Sequence, residues 1–106
     1  MSFASLLRER VRIEQLVAGD DGYGGQVLNW GELATVFAQV EPIFIGQSER
    51  ASADQRSANA GYRVRIRLRT DLDASMRIVW KSHVLSIHSL HEQGEILSIL
   101  TYEENL

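Results

Sequence analysis

Tyr62-Arg63-Val64-Arg65-Ile66-Arg67-Leu68-Arg69 alternates apolar and arginine side chains without a break. That is the period of a β-strand with one dry and one wet face, because successive side chains point to opposite sides of the backbone. Wound as a helix, the same residues would scatter arginines around the whole circumference and bury charge. The stretch reads as a strand. Tyr62, Val64, Ile66 and Leu68 are expected to face a core, with Arg63, Arg65, Arg67 and Arg69 in a row about 7 Å apart on the other side. Two readings of that row stand side by side: a solvated face balanced by neighbouring acids, or a surface that meets a partner.

Strands are also expected on either side of this one. Arg8 to Val17 alternates, with Val11, Ile13 and Val17 opposite Arg10, Arg12 and Glu14. Gly19 to Gly25 is a turn, rich in glycine and aspartate. Gln26 to Trp30 is a second strand, Gly31-Glu32 interrupts it, and Leu33 to Ile45 continues. Pro42 cannot donate a ladder hydrogen bond and marks an edge or the end of that strand. Thr70 to Ser75 turns, Met76 to Lys81 is a strand, and Ser82-His83 turns again. Val84 to Leu90 and Glu95 to Tyr102 complete the set, separated by a turn at His91 to Gly94. The short segment Phe3 to Leu7 is either a helical turn or an arm that packs on something.

The segment from Gly46 to Gly61 differs in kind, because its residues 47–60 hold no large apolar side chain. Ser48 could cap a short helix and Gly61 end it, but an isolated helix of about 12 residues is marginal in water. The expectation is one long loop or short helix at about 46–61, either simply disordered or ordering against a partner. The fold class is therefore all-β: a small antiparallel barrel or sandwich of six to seven strands. With 106 residues, the chain is read as one domain over 1–106, burying roughly two-thirds of its unfolded surface.

Composition narrows the function classes. There is no cysteine, so there is no disulfide, thiolate zinc site or cysteine nucleophile. No apolar run approaches the ~20 residues of a membrane span, and the N-terminal apolar stretch is too short for a secretory signal. No membrane contact is expected, and an intracellular origin fits. Net charge is −3, yet residues 61–82 set six cations against two acids, a local +4 that leaves −7 elsewhere. A free-standing nucleic-acid binder would be basic in total as well as in one stripe.

Residues able to carry chemistry are sparse. His83 and His88 fall on opposite faces of a strand and cannot share a metal unless the backbone turns between them. Asp20/Asp21 and Asp71/Asp73 sit in turns, where aspartate bonds local amides, and neither turn offers the ligand spacing of a calcium loop. Gly22-Tyr23-Gly24-Gly25 leads to no Lys-Ser/Thr pair and no helix, so it reads as a hairpin turn rather than a phosphate cradle. Trp30, Trp80, Tyr62 and Tyr102 occupy strand positions and read as packing. No catalytic, cofactor or metal residues are assigned, and no enzyme is expected.

In order and spacing, the chain resembles the small head–tail joining proteins of tailed bacteriophages, also called head-closure, stopper or connector proteins. The likeness is carried by Leu7-Arg8-Glu9-Arg10-Val11-Arg12-Ile13-Glu14, by Asp21-Gly22-Tyr23-Gly24 and Trp30, and by Val40-Glu41-Pro42 with Gly46-Gln47-Ser48-Glu49. Tyr62-Arg63-Val64-Arg65-Ile66-Arg67, Met76-Arg77-Ile78 and Leu100-Thr101-Tyr102-Glu103-Glu104 continue it over nearly the full length. One departure is Phe37-Ala38, where family members more often carry tryptophan. The same pattern occurs in gene transfer agents, phage-derived particles encoded in bacterial chromosomes.

The resemblance implies a β-barrel protein of the virion or phage-like particle, assembled in the bacterial cytoplasm. Copies of the chain would form a ring, a hexamer or dodecamer. The ring would lie between the portal or adaptor protein on the head side and the tail terminator or tail tube protein on the tail side. It would close the DNA-filled head, offer the tail a docking surface, and let packaged double-stranded DNA pass with only non-specific phosphate contacts. Heterologous ring contacts profit from unlike charge on two sides of one protomer. On this reading the interface residues are Arg63, Arg65, Arg67 and Arg69, with Gln47, Ser48, Glu49, Arg50, Asp54 and Arg56 of the long segment. The alternative is a small OB-like or SH3-like nucleic-acid-binding module, using the arginine row beside Tyr62 and Trp80.

Overall fold

A computed structural model describes residues 3–44 and 60–104. The alternating stretch forms the strand Ala60–Arg67, here β3. Val64 and Ile66 are fully buried, Tyr62 packs on the core from its edge, and the arginines stand on the outer side. Leu68 departs from expectation. It lies one residue past the end of β3, 37% exposed, because the strand stops at Arg67 and its parity no longer binds the next residue.

Five further strands flank it: β1 Glu9–Asp20, β2 Gln26–Phe44, β4 Arg77–Trp80, β5 His83–Gln93 and β6 Ile96–Glu103. All neighbours run antiparallel and close a barrel in the order β1-β2-β3-β6-β5-β4, with β4 returning to β1. The expected all-β class is thus a closed barrel rather than a sandwich. A 3-10 turn at Phe3–Leu6 precedes it. The loop or helix expected over 46–61 lies outside the described residues except for Ala60 and Gly61, which open β3.

The barrel is filled by one inward side chain after another. Val11 and Ile13 of β1, Ala38 of β2, Ile78 of β4, Leu85 and Ile87 of β5, and Leu97 and Ile99 of β6 join Val64 and Ile66. Each large aliphatic buried in this way stabilises the fold by about 1.5–3 kcal/mol. Thr101 is buried among them and donates its hydroxyl proton to the Tyr62 carbonyl oxygen at 2.9 Å, so its polar atom is satisfied. At one mouth, Tyr62, Trp80 and His83 cluster at centroid distances of 5.2–5.8 Å, with Trp80 stacked on His83 and Tyr62 meeting Trp80 edge-on. Trp80 Nε1 donates to Glu9 at 3.0 Å, and His83 Nδ1 lies 2.6 Å from Glu103.

Several boundaries differ from the sequence reading. β2 runs unbroken through Gly31-Glu32 for 19 residues. The disturbance sits beside that dipeptide as a β-bulge, for Ile13 pairs with Ala34 and Glu14 with Glu32, leaving Leu33 as the extra residue. Gly31 leaves room for the diagonal neighbour Val17, since a Cβ there would come within 3.3 Å of Val17 Cγ2. The β4–β5 turn is Lys81-Ser82, so His83 opens β5. β5 itself extends to Gln93, with His88 as the extra residue of a second bulge between Ile87 and Ser89. Pro42 sits inside β2, but past the last pairing with β1 at Ala38, where β3 is the only neighbour among the described residues. It occupies a local edge, where its missing N–H costs no ladder bond.

Candidate docking surfaces

The arginine row is partly balanced by acids. Glu41, directly opposite Arg63 in the register, lies 3.2 Å from the Nη1 of both Arg63 and Arg65. Arg65 also donates to Gln39 Oε1 at 2.9 Å. Arg69 forks onto Asp71, with Nε and Nη2 reaching its two oxygens at 3.1 and 2.9 Å. That shared hydrogen bond, with the opposite charges, raises the Arg69 pKa and lowers that of Asp71. Arg67 is exposed and has no ion pair among the described residues. The remaining interface candidates, Gln47, Ser48, Glu49, Arg50, Asp54 and Arg56, lie outside the described residues.

A second surface comes from strand lengths that do not match. β4 has four residues and pairs with β1 only from Arg12 to Glu14. β1 and β2 continue pairing from Gln15↔Gly31 to Asp20↔Gln26 with no third strand beside them among the described residues, a two-stranded arm roughly 20 Å long. Partners across an antiparallel ladder share a face. Leu16 therefore stands with Trp30 and Ala18 with Leu28, an apolar face on which Leu28 is 66% exposed. At the tip, Gly22 and Gly24 both have φ of +86°, which a side chain would resist. Asp20 accepts from the Gly22 amide, Asp21 accepts from those of Tyr23 and Gly25, and Tyr23 projects almost fully into solvent.

The base of the arm is locked electrostatically. Glu14, only 8% exposed, accepts from Arg12 Nε and Arg77 Nε, each at 2.8 Å. Burial alone would raise its pKa, but the hydrogen bonds and charges of Arg77 and Arg12 outweigh it and hold the carboxyl below its ordinary value. The Arg77 guanidinium in turn lies over the Trp30 ring at 4.2 Å.

A third surface lies where β2 and β3 diverge. Their pairing ends at Gln39↔Arg65, and the gap beyond forms a groove of about 490 Å³ lined by Leu7, Val36, Phe37, Ile66, Leu68 and the flanking arginines. Phe37 is 54% exposed, and the Arg10 guanidinium lies 5.3 Å from its ring centre. Neither arm nor groove was foreseen from the sequence. The apolar positions Leu16, Ala18, Leu28 and Trp30, spaced by two within each strand, were the available signal for the arm. Among the described residues, no three histidine, aspartate or glutamate side chains converge as a metal site would require.

A family model described as phage head completion protein matches residues 4–103. The chain belongs to the phage head completion protein family. The expected kinship with head-closure proteins is thereby met, and the protein has a structural role in the head of a phage or phage-like particle. Among solved structures, this head completion protein is similar to a chain in the virion of a native gene transfer agent particle: 25% identity, TM-score 0.65, covering 93% of this chain and 96% of that one. Protein SF1141 from Shigella flexneri 2a shares the fold at 24% identity and TM-score 0.70, over 96% of each chain. Protein xkdH of the phage-like element PBSX from Bacillus subtilis shares it at 10% identity and TM-score 0.52, over 91% of this chain and 93% of that one. Comparison with the curated proteins finds no match.

Proposed function

We propose that this head completion protein forms a ring between the portal or adaptor and the tail, closing the DNA-filled head and giving the tail a docking surface. The observation that carries the reading is the two-stranded arm, which holds an apolar face in water with no other strand beside it among the described residues. An isolated two-stranded ribbon is marginal in water, so an arm of this kind acts by lying against a neighbour. In the proposed assembly the whole chain, 1–106, serves as one connector domain, in a hexamer or dodecamer built in the bacterial cytoplasm. The arginine row and the 46–61 segment would contribute to the docking surfaces, and packaged duplex would meet only non-specific phosphate contacts. A free-standing nucleic-acid module is disfavoured because Glu41 and Asp71 engage Arg63, Arg65 and Arg69.

The test is head completion in vitro. Purified protein is added to DNA-filled heads that carry the portal and adaptor but lack this chain. The reading expects the protein to co-sediment with the heads and to protect their DNA from nuclease. Heads that stay bare and leak DNA at every protein concentration would overturn it.

A further inference from the structure

Large apolar side chains are exposed in only two places among the described residues. Leu16, Val17, Tyr23, Val27, Leu28 and Trp30 are on the arm, and Phe37 and Leu68 are at the groove. Apolar surface gathered in this way marks contact sites. The charges are complementary as well. The arm, residues 15–31, holds the carboxylates Asp20 and Asp21 and no lysine, arginine or histidine. The groove is rimmed by Arg67 and Arg69, with Arg10 over Phe37. Of these, only Arg69 has an ion pair among the described residues. The arm cannot reach its own groove. Leu28 and Phe37 are nine residues apart on one extended strand, roughly 30 Å, and the arm points away.

We infer that the arm of one copy seats in the groove of the next. Tyr23 and Leu28 cover Phe37 and Leu68, and Asp20 and Asp21 are set against Arg67 and Arg10. The contact joins unlike patches, so it is heterologous, and repeated around an axis it closes a ring. It buries the apolar faces at its centre and leaves the ion pairs at its rim, where they select orientation more than they add affinity. The inference rests on the ring reading above and names the contact within it.

Because the chain has no cysteine of its own, Tyr23→Cys and Leu68→Cys can each be introduced singly at exposed positions. The two variants, checked for folding by circular dichroism, are mixed on portal-bearing heads and treated with a short bis-maleimide. Cross-linked dimers are expected from the mixture and not from either variant alone. Arg67→Glu is expected to weaken assembly at least ~10-fold. Combining it with Asp20→Lys and Asp21→Lys should restore assembly, since the exchanged charges still match. Rings that form without the mixed cross-link, and without charge-swap rescue, would overturn this contact while leaving the ring itself standing. If the wild-type chain forms no ring on the heads, the ring reading fails and the contact fails with it.

Discussion

The guanidinium of Arg77 lies 4.2 Å from the centre of the Trp30 ring while its Nε donates to Glu14 at 2.8 Å. One side chain from the shortest strand of the barrel thus holds both a buried carboxylate and the first aromatic residue of the arm. The arm leaves the barrel from a base that is charge-paired on one side and stacked on the other. This matters for assembly, because a ribbon held at a defined angle loses less freedom on docking than a loose one.

Arg77→Ala should therefore cost more than an ordinary surface substitution. It leaves Glu14 with Arg12 alone and removes the stack on Trp30. About 2–4 kcal/mol of stability should be lost, most of it from a buried carboxylate short of a partner. Urea denaturation of the variant beside the wild type measures this, and Glu14→Gln with Arg77 intact should cost less.

Acid stability should carry the same signature. The folded-state pKa of Glu14 lies below its ordinary value of 4.5, so the folded state binds fewer protons than the unfolded chain near that pH. Its contribution is complete above about 4.5 and is lost as the pH falls through the depressed folded value. Urea midpoints taken from neutral pH down to about 3 should fall for the wild type. In Glu14→Gln the decline should be shallower, with the exposed Asp71 and Asp73, whose pKa values are also lowered, still contributing.

Ile66→Asp places a carboxylate in the barrel centre, where the native side chain is 1% exposed. The substitution should cost upward of about 4 kcal/mol and leave the chain unfolded or nearly so. Loss of the cooperative thermal transition in circular dichroism is the expected result.

Arg65→Ala removes bonds to Gln39 and Glu41 from a side chain still 31% exposed, so stability should fall by less than about 1 kcal/mol. If the row belongs to a docking surface, completion of heads should drop all the same. The effect should be larger for Arg67→Ala, since Arg67 has no ion pair among the described residues to break. Comparing melting temperatures with head protection for the two variants separates folding from docking.

Much of the barrel could be read from local pattern. The β3 alternation gave its buried and outer faces because a strand's period is unambiguous over eight residues, and it failed only at Leu68, where the strand had already ended. Gly31-Glu32 reads as a break because glycine in a strand resembles punctuation. The true irregularity was the extra residue Leu33, whose cause lies in pairing with a distant strand. The pairing of Arg63 and Arg65 with one shared carboxylate was illegible for the same reason, since Glu41 lies some twenty residues away and only the register brings it opposite. Glu14 looked like any outward strand acid; its burial depends on Arg12 and Arg77 converging over it. The arm stayed hidden because β4, the strand that leaves it uncovered, is short for reasons its own four residues do not display.

The central claim is that this chain works by docking its surfaces onto copies of itself and onto the head. Electron cryomicroscopy of DNA-filled, portal-bearing heads incubated with the purified protein tests it most directly. A closed ring of barrels at the portal vertex, each arm laid on the neighbouring barrel, is the expected image. Vertices without added density, from a protein that remains monomeric in the same solution, would contradict it.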